Sequence, residues 1–123
     1  MANPLAMACD IVLTVYNQPE LTRNCLDSIV KYFRPEDGLI IVDNGSLEET
    51  KRLLEDFKNS HPRIGIKLLR LHPNQGFVRA ANVGIKQSTQ GCVCILSNDT
   101  VVTEGWLERM SSTMAKETDI GLY

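Results

Sequence analysis

Two hydrophobic rhythms alternate along the chain. Cys9 to Tyr16 is a short apolar run rich in β-branched residues, as expected of a buried strand. Asn17-Gln18-Pro19 breaks it, and Pro19 suits the first turn of a helix. Leu21, Cys25, Ile29 and Phe33 then recur at fours, with Leu26 and Val30 beside them, which makes one apolar helical face. Breakers in Arg34-Pro35-Glu36-Asp37-Gly38 predict a loop, and Leu39 to Val42 a second strand. Ser46 and Glu49 have the spacing of a capping box, opening a helix that buries Leu53, Leu54 and Phe57 and stops near His61-Pro62. Ile64 to Leu71 reads as a third strand and His72 to Gly76 as a turn. Phe77, Ala80, Ala81, Gly84 and Ile85 trace a helical stripe that leaves Arg79, Asn82 and Lys86 off the buried face. Gln90-Gly91 ends that helix, and Cys92 to Leu96 is the fourth strand. Thr103 or a neighbour caps a last helix with Trp106, Leu107, Met110 and Met114 inward, and Asp119 to Tyr123 looks like the start of a fifth strand.

Strands alternating with helices predict an α/β fold: a three-layer, open, mostly parallel sheet with helices on both faces and right-handed crossovers. The expected strand order is 3-2-1-4, with the switch point between the first and fourth strands. A chain of 123 residues is one domain at most. Because it stops on entering another strand, it is expected to be the front half of a longer protein. Residues 1–8 read as a lead-in or an appended remnant, and 9–123 as the domain piece. An open sheet edge in such a piece is a route to a homodimer.

Composition narrows the function classes. Apolar residues make up 43% and charged residues 23%, which suits a globular core. A net charge of −2 lacks the basic excess of a nucleic-acid-binding surface. No apolar run approaches the roughly 20 residues needed to cross a bilayer, and Met1 to Ala8 does not read as a signal peptide. The four cysteines are Cys9, Cys25, Cys92 and Cys94. Cys92 and Cys94 share one strand face, with no second pair at zinc-site spacing, so they read as small buried thiols in a reducing cytoplasm.

The strand ends carry the candidate chemistry. Val93-Cys94-Ile95-Leu96 runs abruptly into Ser97-Asn98-Asp99-Thr100, which places one carboxylate among small oxygen-bearing side chains at the carboxyl end of a buried strand. A lone Asp there can hold a hard divalent cation, and the cation a diphosphate; the same residues can also simply turn the chain and cap a helix. In a parallel sheet the other ends deliver Thr14, Tyr16 and Asn17; Asp43, Asn44 and Gly45; and Asn74, Gly76 and Arg79 to the same edge. Neither Gly-x-x-x-x-Gly-Lys-[Ser/Thr] nor Gly-x-Gly-x-x-Gly is present, which argues against a P-loop kinase or a dinucleotide oxidoreductase.

Thr14-Val15-Tyr16-Asn17, Val42-Asp43-Asn44-Gly45-Ser46, Asn74-Gln75-Gly76-Phe77 with Asn82-Val83-Gly84, and Leu96-Ser97-Asn98-Asp99-Thr100 occur in that order. Together they resemble the front half of glycosyltransferase family 2, with its GT-A fold, from about Asp10 onward. The Leu-Ser-Asn-Asp-Thr variant is most similar to bacterial rhamnosyltransferase-like members that build surface polysaccharides. The resemblance implies that Thr14, Tyr16 and Asn17 surround a nucleotide and that Asp43 contacts its base. It places Arg79 near the base or phosphates, and Asn82, Gly76 and Asn98 in the same pocket. An acceptor carboxylate suits the imide N–H of uracil or thymine; Asp43 can equally close an Asx-turn. The family's metal motif maps to Ser97-Asn98-Asp99, so Asp99 is the implied ligand of Mg²⁺ or Mn²⁺. Ser97 departs from the acidic first position of that motif.

The implied activity is metal-assisted, inverting transfer of a sugar from a UDP- or dTDP-sugar to a saccharide acceptor, in the cytoplasm or at the membrane periphery. Such transfer needs a general base. Glu104, Glu108, Glu117 and Asp119 do not match the family's base position, so the base is expected beyond Tyr123 and the piece alone is expected to be inactive. Two other classes stay open. A non-catalytic GT-A-like interaction domain would keep the fold without the chemistry. A nucleotidyltransferase would want a glycine-rich basic loop after the first strand, which Asn17-Gln18-Pro19-Glu20 is not.

Overall fold

The computed structural model describes residues 8–116. Its elements alternate without exception: β1 (Cys9–Val15), α1 (Pro19–Lys31), β2 (Gly38–Asn44), α2 (Glu48–Ser60), β3 (Ile66–Leu71), α3 (Phe77–Lys86), β4 (Cys92–Ser97) and α4 (Trp106–Lys116). The strands form one four-stranded sheet, parallel as the alternation predicts, in the expected order β3-β2-β1-β4. The expected fifth strand at Asp119 to Tyr123 lies outside the described residues.

Strand alternation sorts the core into two layers. Ile11, Leu13, Val15, Leu39 and Ile41 pack with Cys25, Leu26 and Ile29 of α1, Leu54 and Phe57 of α2, and Leu107 of α4. Val12, Ile40 and Val42 face the other way, onto Ala80 of α3. On α3 the buried positions are Ala80, Ala81 and Gly84. A Cβ on Gly84 would collide with Val12 and stand 3.2 Å from Cγ2 of Val42, so α3 rides unusually close to the sheet. Phe77 and Ile85, assigned to the stripe by spacing, are instead 53% and 38% exposed. The small residues make the contact, and the large ones flank it.

On α1 the buried set is Thr22, Cys25, Leu26, Ser28 and Ile29, while Leu21 is exposed. Positions 22, 25, 26 and 29 follow the true helical period of 3.6, from which a strict fourfold repeat drifts. The capping box at Ser46 does not form either. Helix α2 starts at Glu48 with Leu47 as N-cap and no side-chain cap. The Ser46 hydroxyl accepts the Asn17 N–H at 2.8 Å instead, a long-range bond in place of the local one. Within α4, Leu107 is buried and Trp106 and Met110 pack against the core; the side chain of Met114 lies outside the described residues.

Cys92 is not the free thiol expected. It is disulfide-bonded to Cys9, its register partner across β1 and β4, with Cα atoms 4.4 Å apart. Cys25 and Cys94 are free and buried. Pairing register, which strand patterning alone does not specify, creates this contact.

The amino-end rim of the sheet is closed by structural polar groups. Asp10 Oδ2 accepts Ser88 Oγ and the Thr89 N–H at 2.8 Å each, and the Gln90 N–H at 3.2 Å. Buried Arg34 pairs with buried Asp37 at 2.6 Å and donates to Ser111 Oγ of α4 at 3.1 Å, while Asp37 also accepts the Cys9 N–H. Among the described residues no helix is long and apolar enough to cross a membrane.

Candidate functional site

At the opposite rim the parallel register carries the ends of all four strands to one edge: Thr14 pairs with Val42 and Ser97, Val15 with Asp43, and Asp43 with Arg70. Asp43 near the end of β2 and Asp99 just past the end of β4 therefore lie at the same edge of the sheet, on either side of β1. This is where ligands bind in open α/β sheets.

A continuous chain of hydrogen bonds crosses this rim. Arg70 at the end of β3 reaches Asp43 Oδ2 through Nη1 at 2.5 Å and the Ser46 carbonyl through Nη2 at 2.9 Å. Asp43, 2% exposed, accepts the Ser46 N–H on Oδ1 at 2.9 Å, three residues on and so one farther than an Asx-turn. The Ser46 hydroxyl holds the Asn17 N–H, and Asn17 Oδ1 accepts the Leu47 N–H at 2.8 Å. The Asn17 carbonyl then accepts Asn98 Nδ2 at 3.0 Å and the Thr22 hydroxyl at 3.2 Å. Asn98 Nδ2 also donates to Thr22 Oγ1 at 2.9 Å. Asn17 and Gln18 both adopt left-handed backbone conformations, with φ of 54° and 57°. For non-glycine residues that geometry costs about 1–3 kcal/mol each, and the bonds around Asn17 hold it in place.

A second set of contacts seats the β3–α3 loop. Asn44 Oδ1 accepts the Gln75 N–H at 2.8 Å, and its Nδ2 donates to the Gly76 carbonyl at 3.2 Å. Gly45 has φ +84°, and a Cβ there would lie 2.7 Å from the Asn74 backbone nitrogen, so this crossing of two loops admits only glycine. Gly76, also at φ +84°, caps α3.

The residues singled out from sequence fall into two groups. Asn17, Asp43 and Asn98 are joined in the hydrogen-bonded chain, and Gly76 is tied to β2 through Asn44. The Asn98 amide is committed inward to the β1–α1 corner. Thr14 is buried, its hydroxyl 3.5 Å from the Leu96 carbonyl. Tyr16, Arg79, Asn82 and Asp99 are exposed, and their side chains make no hydrogen bond or ion pair among the described residues. Arg70 and Ser46 escaped the sequence reading as members of this network. An acid and a base at the ends of consecutive strands were the available signal, but only the β2–β3 register makes them partners.

Asp99 sits on a turn closed by the Thr100 N–H to the Ser97 carbonyl at 3.1 Å. Beneath it, Cys25 Sγ approaches the Ser97 carbonyl at 3.8 Å. Burial pushes the Cys25 thiol up to about 11, opposed by the Thr100 N–H and reinforced by the Asp99 charge. Burial alone does the same for Cys94, also to about 11. The described residues hold no cluster of three or more His, Cys, Asp or Glu able to bind a metal. One exposed carboxylate of hard oxygens fits a magnesium-type ion that takes its other ligands from a diphosphate and water. Of the acids weighed as bases, Glu104 is exposed and Glu108 is half-buried, with an Oε1 that lacks a hydrogen-bond partner; Glu117 and Asp119 lie outside the described residues.

Comparison with known proteins meets this geometry. The family model for glycosyl transferase family 2 matches residues 10–122. Poly-beta-1,6-N-acetyl-D-glucosamine synthase of Staphylococcus epidermidis is 34% identical over 93 residues, covering 76% of this chain and 22% of the relative. Glycosyltransferase AglE of Haloferax volcanii is 30% identical over 107 residues, covering 85% and 34%. The chain thus spans about a fifth to a third of the length of these relatives. Among solved structures, the mannosyltransferase PcManGT of Pyrobaculum calidifontis, in complex with GDP-Man and Mn²⁺, superposes with a TM-score of 0.83 at 20% identity, over 89% of this chain and 33% of that one. S. aureus TarS in complex with UDP-GlcNAc gives 0.78 at 22% identity, over 91% and 32%.

Proposed function

Since the chain belongs to glycosyl transferase family 2, we propose that residues 9–123 form the donor-binding half of an enzyme that moves a sugar from a nucleotide diphosphate to an acceptor hydroxyl. The observation that carries this reading is the single rim at which β2 presents Asp43 and β4 leads to Asp99, on either side of β1. Asp43 and Arg79 bracket the nucleotide, with Thr14, Tyr16 and Asn17 at the end of β1, Asn82 and Gly76 on the α3 side, and Asn98 holding the corner beneath. Each Asp43 oxygen accepts one protein N–H and keeps a second lone pair for a base N–H. Asp99 would hold a divalent cation, Mg²⁺ or Mn²⁺, whose charge offsets that of the departing diphosphate.

The donor is a nucleotide sugar, in keeping with the UDP-GlcNAc and GDP-Man bound by the structural neighbours; UDP- or dTDP-linked rhamnose-type sugars fit the Leu96–Thr100 sequence. The acceptor is a growing surface polysaccharide, as the name of the S. epidermidis relative supports. Transfer inverts the anomeric centre, with the general base beyond Tyr123. We place the protein in the cytoplasm, free or at the membrane periphery, where a reducing environment opens the Cys9–Cys92 pair.

Titration calorimetry with UDP-, dTDP- and GDP-sugars plus Mn²⁺ tests this reading. Binding by the wild-type chain that Asp99→Ala weakens at least about tenfold is the expected result. No binding of any nucleotide sugar by the folded wild-type chain overturns it.

A further inference from the structure

Arg70 grips two things at once. Its Nη1 holds Asp43 Oδ2, and its Nη2 holds the carbonyl of Ser46, whose N–H in turn holds Asp43 Oδ1. The last torsion of an Asp side chain is soft and roughly two-fold. Three bonds to one carboxylate and its own loop remove that freedom. A planar guanidinium fixes the Asp43 carboxylate and the Ser46 peptide relative to each other, which a lysine point charge cannot do. The Arg70 side chain is one-third exposed, against 3% for Asp43, so the pair lies at the lip of the rim rather than inside the core.

We propose that Arg70 is a positioning residue that sets nucleobase selectivity, by presenting Asp43 as a fixed hydrogen-bond acceptor. This rests on the donor-binding reading above. A fixed acceptor favours bases that offer a ring N–H at their pairing edge. Uracil, thymine and guanine have one there, whereas cytosine has only its exocyclic amino N–H beside an N3 lone pair that repels the carboxylate. Both terminal nitrogens of Arg70 are engaged by Asp43 and the Ser46 carbonyl, and the residue lies on the strand farthest from β4 in the sheet order. Its removal should therefore alter base choice and leave metal dependence intact.

The test is calorimetry on the full 123-residue chain with UDP, GDP and CDP, each with and without Mn²⁺, beside thermal melting. The wild type is expected to bind UDP or GDP more tightly than CDP. Arg70→Met is expected to weaken the preferred nucleotide about tenfold and to shrink its advantage over CDP, with the Mn²⁺ enhancement unchanged. Arg70→Lys should fall between, because it keeps the charge and loses the fork. A lowered melting temperature with an unchanged ratio would mean a purely structural role and overturn the proposal. Should Arg70→Met not fold, Arg70→Lys decides by the same ratio. Wild-type binding with no change in either variant removes this inference alone, whereas a wild type that binds no nucleotide diphosphate removes the donor reading with it.

Discussion

Asn17 takes part in four hydrogen bonds, to Ser46, Leu47, Thr22 and Asn98. It stood out in the sequence because it follows a strand, but its partners lie up to 81 residues away and were not legible there. Asn98 shows the limit from the other side. Its place beside Asp99 suggested a pocket residue, and its amide is spent on the β1–α1 corner. Ionisation is equally dependent on surroundings. Cys25 and Cys94 each have a folded pKa of about 11 against 9.0 for the free thiol, because burial disfavours the thiolate. The unfolded chain ionises first, so the stabilising contribution is complete below pH 9 and is lost as pH rises through 11. Ultraviolet thiolate absorbance should show no ionisation of these two thiols near pH 9 in the folded chain, and the melting temperature should fall as pH rises from 9 to 11.

At the scale of elements, the apolar rhythms located every strand and helix among the described residues, and the expected order 3-2-1-4 is the one observed. Boundaries moved where tertiary contacts outbid local signals, as at Ser46, whose hydroxyl serves Asn17 rather than α2. The α1–β2 loop is another such place. Arg34-Pro35-Glu36-Asp37-Gly38 reads only as a loop by its breakers, yet Arg34 and Asp37 are buried and tie that loop to β1 and α4. Removing one partner of a buried ion pair strands the other, at a cost of about 3–5 kcal/mol. Asp37→Ala should therefore lose stability on that order in urea unfolding. Exposed Arg52→Ala, which breaks only the Glu48 pair on the α2 surface, should cost under about 1 kcal/mol.

Among the described residues the sheet has two borders, β3 and β4. On β4, Val93 and Ile95 are 36% and 40% exposed, unlike the covered residues of β1 and β2. An open strand edge can pair with another copy. The catalytic consequence is sharper: a donor pocket without its base should bind and not transfer. Incubated with UDP- or dTDP-sugars, Mn²⁺ and a saccharide acceptor, the 123-residue chain should release no nucleotide above the uncatalysed rate; steady release would show that the base lies within these residues.

Two successive residues wound against their natural hand, Asn17 and Gln18, bend the chain where β1 hands over to α1. That contortion is held by the chain's own hydrogen bonds at Asn17. An arriving ligand then meets a finished mould, and its capture should follow a single exponential whose rate climbs linearly with concentration, without the plateau that a slow rearrangement would impose.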